Sequence, residues 1–297
     1  MLWNKSSASK FLSRKKLYFT LGFITGTSYS YYYYRKITNL KLQHEREQLS
    51  TTHFTPYKIK SRYAVDSSHY FLKLTPVFQQ KNNVWDQTRG KIWSIQIKQP
   101  EIMIVRDYTP LPLVLHKNET NTTDADDDEQ DFLLSDISYS SVSDDILLYI
   151  KKYNDGEVSR WLSNLPLNHK IEIRGPIIDY SLPQDKDLVL FTAGTGIVIA
   201  FQAMLALKQN GNSLTIFHSC QNLEQLGPLK DKLLQSYPKG KLTFFQSDMG
   251  NTIINQAKFI PKPALNSMGL ICGPEGYIKT LAGFNIRKQI QYQSRGY

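Results

Sequence analysis

The sequence predicts an antiparallel β-barrel followed by a parallel-sheet α/β domain, behind an N-terminal transmembrane helix. Three observations predict it. From Pro56 onward, short runs such as YKIKSRYAV, HYFLKLTPVF, KIWSIQIKQP and DILLYIKKY alternate apolar and polar residues, the period of half-buried strands. After about Leu182, strand-like runs (DLVLFT, SLTIFHS, KLTFFQS, MGLIC) alternate with the helix-like runs IVIAFQAMLALKQN and LEQLGPLKDKLLQS. That alternation is the pattern of a parallel sheet with crossover helices. Ahead of both lies a stretch of eighteen uncharged residues, Leu17 to Tyr34, between Arg14-Lys15-Lys16 and Arg35-Lys36.

Taken in order, residues 1–16 carry five basic residues, four serines and no acid, and the first acidic residue is Glu45. That is the composition of a mitochondrial presequence, and no A-x-A-like cleavage site points to secretion instead. A secretory signal anchor, or a tail that never inserts, stays open as the alternative. As a helix, Leu17 to Tyr34 would be ~27 Å long, close to the hydrocarbon thickness of a bilayer. Tyr31 to Tyr34 would sit at headgroup level. The heavier positive charge before the span places that end in the matrix and the soluble domains in the intermembrane space. Residues 35–55 read as a linker, 56–183 as the barrel and 184–297 as the α/β domain.

The formal charge is +10, but Glu119 to Asp145 holds ten acids and no base, leaving 36 basic against 16 acidic residues elsewhere. This 119–145 stretch, rich in Ser and Thr and poor in aromatics, reads as a disordered acidic insertion in the barrel. The basic excess forms no stripe interleaved with aromatics, so nucleic acid is not an expected partner. Cys220 and Cys272 lack CxxC spacing, and the six histidines form no HxxxH pair, so no metal site is expected. Neither a GxSxG elbow nor a Walker loop is present.

Four segments carry chemistry. In Arg106-Asp107-Tyr108-Thr109-Pro110, an Arg fork suits a pyrophosphate, and a Tyr and a Thr suit the face and reactive edge of a flavin. In Gly156-Glu157-Val158-Ser159, a glycine and a hydroxyl open a helix, where backbone N–H groups can meet a phosphate. Ala193-Gly194-Thr195-Gly196 is a tight strand-to-helix turn that fails the dinucleotide fingerprint, because Ile199 occupies its third glycine position. Cys272-Gly273-Pro274 closes a strand at the edge where parallel sheets bind ligands. Each segment alone is also explained by ordinary packing or capping.

Their order resembles the ferredoxin–NADP reductase superfamily, in its NADH–cytochrome b5 reductase branch. RxYTP, a strand end with Lys152 and Tyr153, the GxxS turn, Arg174-Gly175-Pro176, GTGI and CGP follow one another over roughly residues 56–283. The resemblance implies FAD on the barrel and NAD(P)H on the α/β domain. It implies that Arg106 holds the pyrophosphate, Tyr108 the isoalloxazine face and Thr109 the reactive nitrogen. Lys152 would lie beside the flavin, and Gly156, Val158 and Ser159 would bind phosphate. Thr195 would stand between flavin and nicotinamide, with Gly194 and Gly196 allowing close approach. Cys272, Gly273 and Pro274 would flank the nicotinamide, and Thr109, Thr195 and Cys272 would serve the chemistry itself.

Within that branch, IKQPEIMIVRDYTPLPL, GEVSRWL and FTAGTGIV resemble fungal mitochondrial inner-membrane flavoproteins that assist cytochrome c maturation. That narrower resemblance implies apocytochrome c and haem lyase as partners and haem as electron acceptor. Alternatives are a general cytochrome b5-type reductase and a flavin-containing adaptor without turnover. The chain departs from the family at Ala193, Ile199 and Glu275-Gly276-Tyr277. No terminal strand with its closing aromatic follows FNIRKQIQYQSRGY, which leaves a truncated chain or an open nucleotide site as the two expectations.

Overall fold

The computed structural model describes residues 27–43, 45–117, 132–136, 144–207, 212–236, 241–253, 267–282 and 289–293. It divides into a unit ending at Glu47 and a unit beginning at Gln48. The first unit contains helix α1, residues 27–43, on which Tyr29, Tyr31, Tyr32, Tyr33 and Tyr34 are exposed. The expected presequence and residues 17–26 of the expected span lie outside the described residues. Among the described residues, no helix is long and apolar enough to cross a membrane. The helix continues to residue 43, into the segment expected to be a linker, because ITNLKLQ contains no Gly or Pro to stop it.

In the second unit, residues 48–54 are bonded to the strands that follow rather than running free. Ser50 O accepts from Gly175 N at 2.9 Å, and Gln80 Oε1 accepts from Leu49 N at 2.8 Å. A seven-stranded antiparallel sheet follows: β1 (Thr55–Ala64), β2 (His69–Pro76), β3 (Lys91–Gln99), β4 (Ile104–Tyr108), β5 (Pro110–Leu111), β8 (Ile146–Lys151) and β9 (Lys170–Ser181). Its order is β4-β3-β9-β1-β2-β8-β5. The two end strands are consecutive in the chain, separated only by Thr109, so the sheet closes on itself at the RxYTP segment. Strand alternation puts Tyr57, Ile59, Leu72, Leu74, Ile95, Ile97, Leu148 and Ile173 inside, nearly free of solvent. Each such side chain contributes roughly 1.5–3 kcal/mol of burial. Trp85, on the short helix α2 (Val84–Gln87), plugs the interior with its ring edge-on to Trp93, centroids 5.0 Å apart.

The acidic insertion is not structureless throughout. Phe132–Asp136 forms β7, antiparallel to β6 (Leu113–Lys117). Leu113, Leu115 and Leu134 are buried in the core shared with the second domain, alongside Leu229 and Leu233. Charge composition hid this strand because its apolar content is confined to Phe132, Leu133 and Leu134. Residues 118–131 and 137–143 of this region lie outside the described residues.

The α/β part is a five-stranded sheet of order β12-β11-β10-β13-β14, parallel throughout. Its strands are β10 (Asp187–Ala193), β11 (Leu214–Cys220), β12 (Leu242–Gln246), β13 (Ser267–Gly273) and β14 (Gln289–Gln293). Strand β14 corrects the expectation that no terminal strand follows. It pairs with β13 in a register that sets Tyr292 opposite Cys272. Its period-two signal, Ile290 and Tyr292 between glutamines, is weak because the alternate positions are all polar but uncharged. The run LEQLGPLKDKLLQS divides at Gly227-Pro228 into a 3-10 turn (Leu223–Leu226) and helix α5 (Pro228–Ser236). Helix α4 (Val198–Leu207), expected to be amphipathic, is buried on almost every side. One side meets β10 and β11, and the other meets β3 and β5 of the barrel, so neither is left for water.

Candidate functional site

The RxYTP end of the barrel and the GTG turn of the α/β domain face each other across one cleft. Its walls include Asp107, Tyr108 and Thr109 from the seam of the barrel, and Tyr149, Lys151, Tyr153 and Ser159 from β8 and the helix after it. From the other domain come Thr195, Gly196, Val198 and Cys272.

On the barrel side, Tyr108 is opposite Ile95 in the β3–β4 ladder, and burial pushes its phenol well above the usual tyrosine range. Arg106, two residues earlier and on the same face of β4, stands close enough for its charge to oppose that shift. Its guanidinium donates to Val105 O at 3.1 Å, and it is not among the cleft's walls. One carboxylate oxygen of Asp107, Oδ1, is buried with no hydrogen-bond partner among the described residues. A ligand hydroxyl or N–H would satisfy it, and a flavin dinucleotide offers both.

Helix α3 (Glu157–Asn164) begins at Gly156, whose position leaves room for Ser159 Oγ to fold back over the turn. That hydroxyl donates to Gly156 O and accepts from Tyr153 N, both at 3.2 Å. The helix is held at both ends. Tyr70 OH donates to Ser159 O at 3.2 Å, and Arg62 Nη2 donates to Leu162 O (2.8 Å) and Leu165 O (2.6 Å), where helix carbonyls lack partners. Val158, named for phosphate, turns its side chain into the barrel core, so only its backbone could serve a ligand. Lys152, also named, does not line the cleft; its neighbour Lys151 does, with Nζ 5.4 Å from the Tyr153 ring centroid. Lys151 closes β8, whereas Lys152 lies just beyond the strand, its N–H donating to Ser68 O at 2.6 Å.

On the α/β side, β10 ends in a 3-10 turn, Gly194–Ile197. Gly194 has φ +54°, a left-handed conformation that favours glycine. Gly196 is pressed against the end of β13: a Cβ there would meet Cys272 Sγ at 2.9 Å and Cys272 O at 3.0 Å. Thr195, between them, is only partly covered. Cys272 is buried, and desolvation pushes its thiol far up, so it is a neutral wall and not a thiolate. Gly273 is buried under the Tyr277 ring, whereas Pro274 is exposed at the start of helix α6 (Glu275–Ala282). Tyr277, which the motif reading left without a role, donates to Thr192 O at 3.2 Å. Beside it, His218 bonds to Thr192 Oγ1 at 2.9 Å, and complete burial holds its pKa down at about 3. The strand ends beneath the cleft are therefore uncharged.

Among the described residues, no group of His, Cys, Asp and Glu could hold a metal ion. The groups in the cleft suit a flat organic ligand: hydroxyls and an ammonium that donate, a carboxylate oxygen that accepts, and a glycine surface.

The oxidoreductase FAD-binding domain family matches residues 133–181, which cover β8, α3 and β9. The cytochrome c mitochondrial import factor of Saccharomyces cerevisiae is 35% identical over 94% of this chain and 86% of that protein. An NADH-cytochrome b5 reductase-like protein of Emericella nidulans is 28% identical over 46% of this chain and 32% of that one. In fold, the cytochrome b5 reductase domain of Ulva prolifera nitrate reductase superposes with a TM-score of 0.58 at 16% identity. That superposition covers 82% of this chain and 99% of that domain. The 35% identity to the import factor over 94% of this chain, with the FAD-domain match, places the chain in the cytochrome c import factor family of the ferredoxin–NADP reductase superfamily, whose cofactors are FAD and NAD(P)H.

Proposed function

We propose that the protein is a FAD-dependent NAD(P)H oxidoreductase that keeps haem reduced for attachment to apocytochrome c by haem lyase. We also propose that it is anchored in the mitochondrial inner membrane, with its soluble domains in the intermembrane space. The observation that carries the enzyme reading is the shared cleft, in which Thr109 and Tyr108 of the barrel face Thr195, Gly196 and Cys272 of the α/β domain. FAD supplies the two-electron to one-electron exchange that joins a hydride donor to a ferric acceptor.

The chain's own residues bind and orient. Arg106 and Lys151 supply the cations for a pyrophosphate, and the amide end of α3 at Gly156 to Ser159 adds N–H donors. Tyr108 gives the ring a flat wall, and Thr109 offers a hydroxyl at its edge. Across the cleft, Gly196 lets its turn close against Cys272 without a side chain between, and the neutral Cys272 closes the far side against water. The localisation rests on the basic, acid-free first sixteen residues and on the likeness to a mitochondrial relative.

The acceptor decides between this reading and a general cytochrome b5-type reductase. Purified full-length protein in detergent, reduced anaerobically with NAD(P)H, is mixed with ferric haem or with cytochrome b5, and flavin reoxidation is followed. Faster reoxidation by haem is the expected result. Reoxidation by cytochrome b5 alone would assign the protein to the second activity.

A further inference from the structure

We infer that Gln202 is a positioning residue for hydride transfer, an amide that splices the nucleotide-side helix into the flavin-side strand. It is the one polar residue in α4 (VIAFQAMLAL) and it is buried, yet its amide is completely used. Oε1 accepts from Trp93 N at 2.9 Å. Nε2 donates to Trp93 O at 3.1 Å and to Pro110 O at 2.9 Å.

The reason for a glutamine here lies in the barrel. Strands β3 and β4 pair as far as Ile95 opposite Tyr108. Continuing that register by two residues puts Trp93 opposite Pro110, and a proline has no N–H with which to extend the ladder. The β3–β4 ladder ends at this point, while Trp93 stays paired with Ile178 of β9 and Pro110 with Leu148 of β8. The side chain of Gln202 enters the gap and supplies one acceptor and two donors, as a missing strand residue would.

The consequence concerns the cleft. Pro110 directly follows Tyr108-Thr109, and Gln202 lies seven residues after Thr195, ~10 Å along the same turn and helix. One side chain therefore fixes the wall that carries Thr109 against the wall that carries Thr195 and Gly196. Gln202 does not line the cleft, so its effect is on separation and not on contact with a ligand. Transfer between two rings depends steeply on that separation, and a 1 Å displacement can lower a rate by about a hundredfold. The inference rests on the proposed oxidoreductase reading.

The test uses full-length Gln202→Leu and Gln202→Met, which fill the space without the three bonds. Both should retain FAD and be reduced by dithionite like the parent. Saturating NAD(P)H should reduce their flavin about tenfold or more slowly, with KM little changed. Hydrogen exchange should rise in peptides spanning Trp93 and Tyr108–Leu111, and stay unchanged over His69–Pro76. Parental reduction rates with parental exchange in both variants would overturn the inference, as would loss of flavin from both, which would make Gln202 only a fold residue. Should the parent itself not be reduced by NAD(P)H, the oxidoreductase reading fails, and exchange alone decides: unchanged protection at Trp93 then refutes the splice.

Discussion

The two walls of the cleft are built from different materials. The barrel wall presents functional groups: the Thr109 hydroxyl, the Lys151 ammonium, an unpartnered oxygen of Asp107, and Arg106 close behind Tyr108. The α/β wall presents bare backbone and neutral side chains, Thr195, Gly196, Val198 and a Cys272 thiol kept uncharged by burial, with Gly194 in a left-handed turn beside them and the buried, uncharged His218 imidazole beneath. The difference teaches that the barrel is equipped to hold a charged ligand, whereas the α/β edge is equipped to let one come close. Affinity for flavin and rate of reduction should therefore respond to different mutations.

The sharpest way to break that division is Gly196→Val. Its side chain would collide with Cys272, and the turn would have to move outward. Reduction of bound flavin by NAD(P)H should fall about a hundredfold or more in stopped-flow, while FAD content is kept. Arg106→Ala should do the converse. Losing a charge-assisted contact weakens FAD by about 1.5–3 kcal/mol, roughly ten- to a hundredfold, seen as flavin lost on gel filtration. A variant that keeps stoichiometric flavin would remove Arg106 from the site.

The neutrality of the α/β wall has a pH signature. His218 has its pKa lowered from 6.5 to about 3, so in the folded state it stays neutral where the unfolded chain takes up a proton. Its contribution is fully present above pH 6.5 and is lost as pH falls toward 3. Between pH 6.5 and 5 the loss is about 2 kcal/mol, and His218→Asn should flatten the fall in Tm over that range. The smallest effect belongs to the β6–β7 hairpin. Lys232 Nζ and Asp136 Oδ1 are 2.9 Å apart, with Lys232 largely covered and Asp136 half-exposed, so Lys232→Ala should cost about 0–1 kcal/mol and leave FAD binding untouched.

Much of this was legible in the sequence because period-two and strand–helix patterns extend over whole elements. Barrel strands β1, β2, β3 and β8 and strands β10 to β13 follow the runs that announced them, whereas β4, β5 and β9 had no such run. What escaped was short or set by tertiary contact. Strand β7 sits within an acidic run, and its three apolar residues are outweighed by charge. The sequence of helix α4 does not show that the barrel covers its second face, which makes it buried on both sides and not amphipathic. In the site, the GTG turn and Cys272 meet Tyr108 and Thr109 in one cleft, whose walls include Lys151 and not Lys152. Gln202 carried no motif at all, and its role depends on Pro110, ninety-two residues away.

The most direct test of the account is an anaerobic titration of the full-length protein with NADH and NADPH, followed in the visible spectrum beside Gly196→Val. The account predicts a flavin spectrum in both proteins, rapid bleaching in the parent and slow bleaching in the variant. A parent whose bound flavin stays oxidised under excess nucleotide, or two proteins that bleach at the same rate, would contradict it.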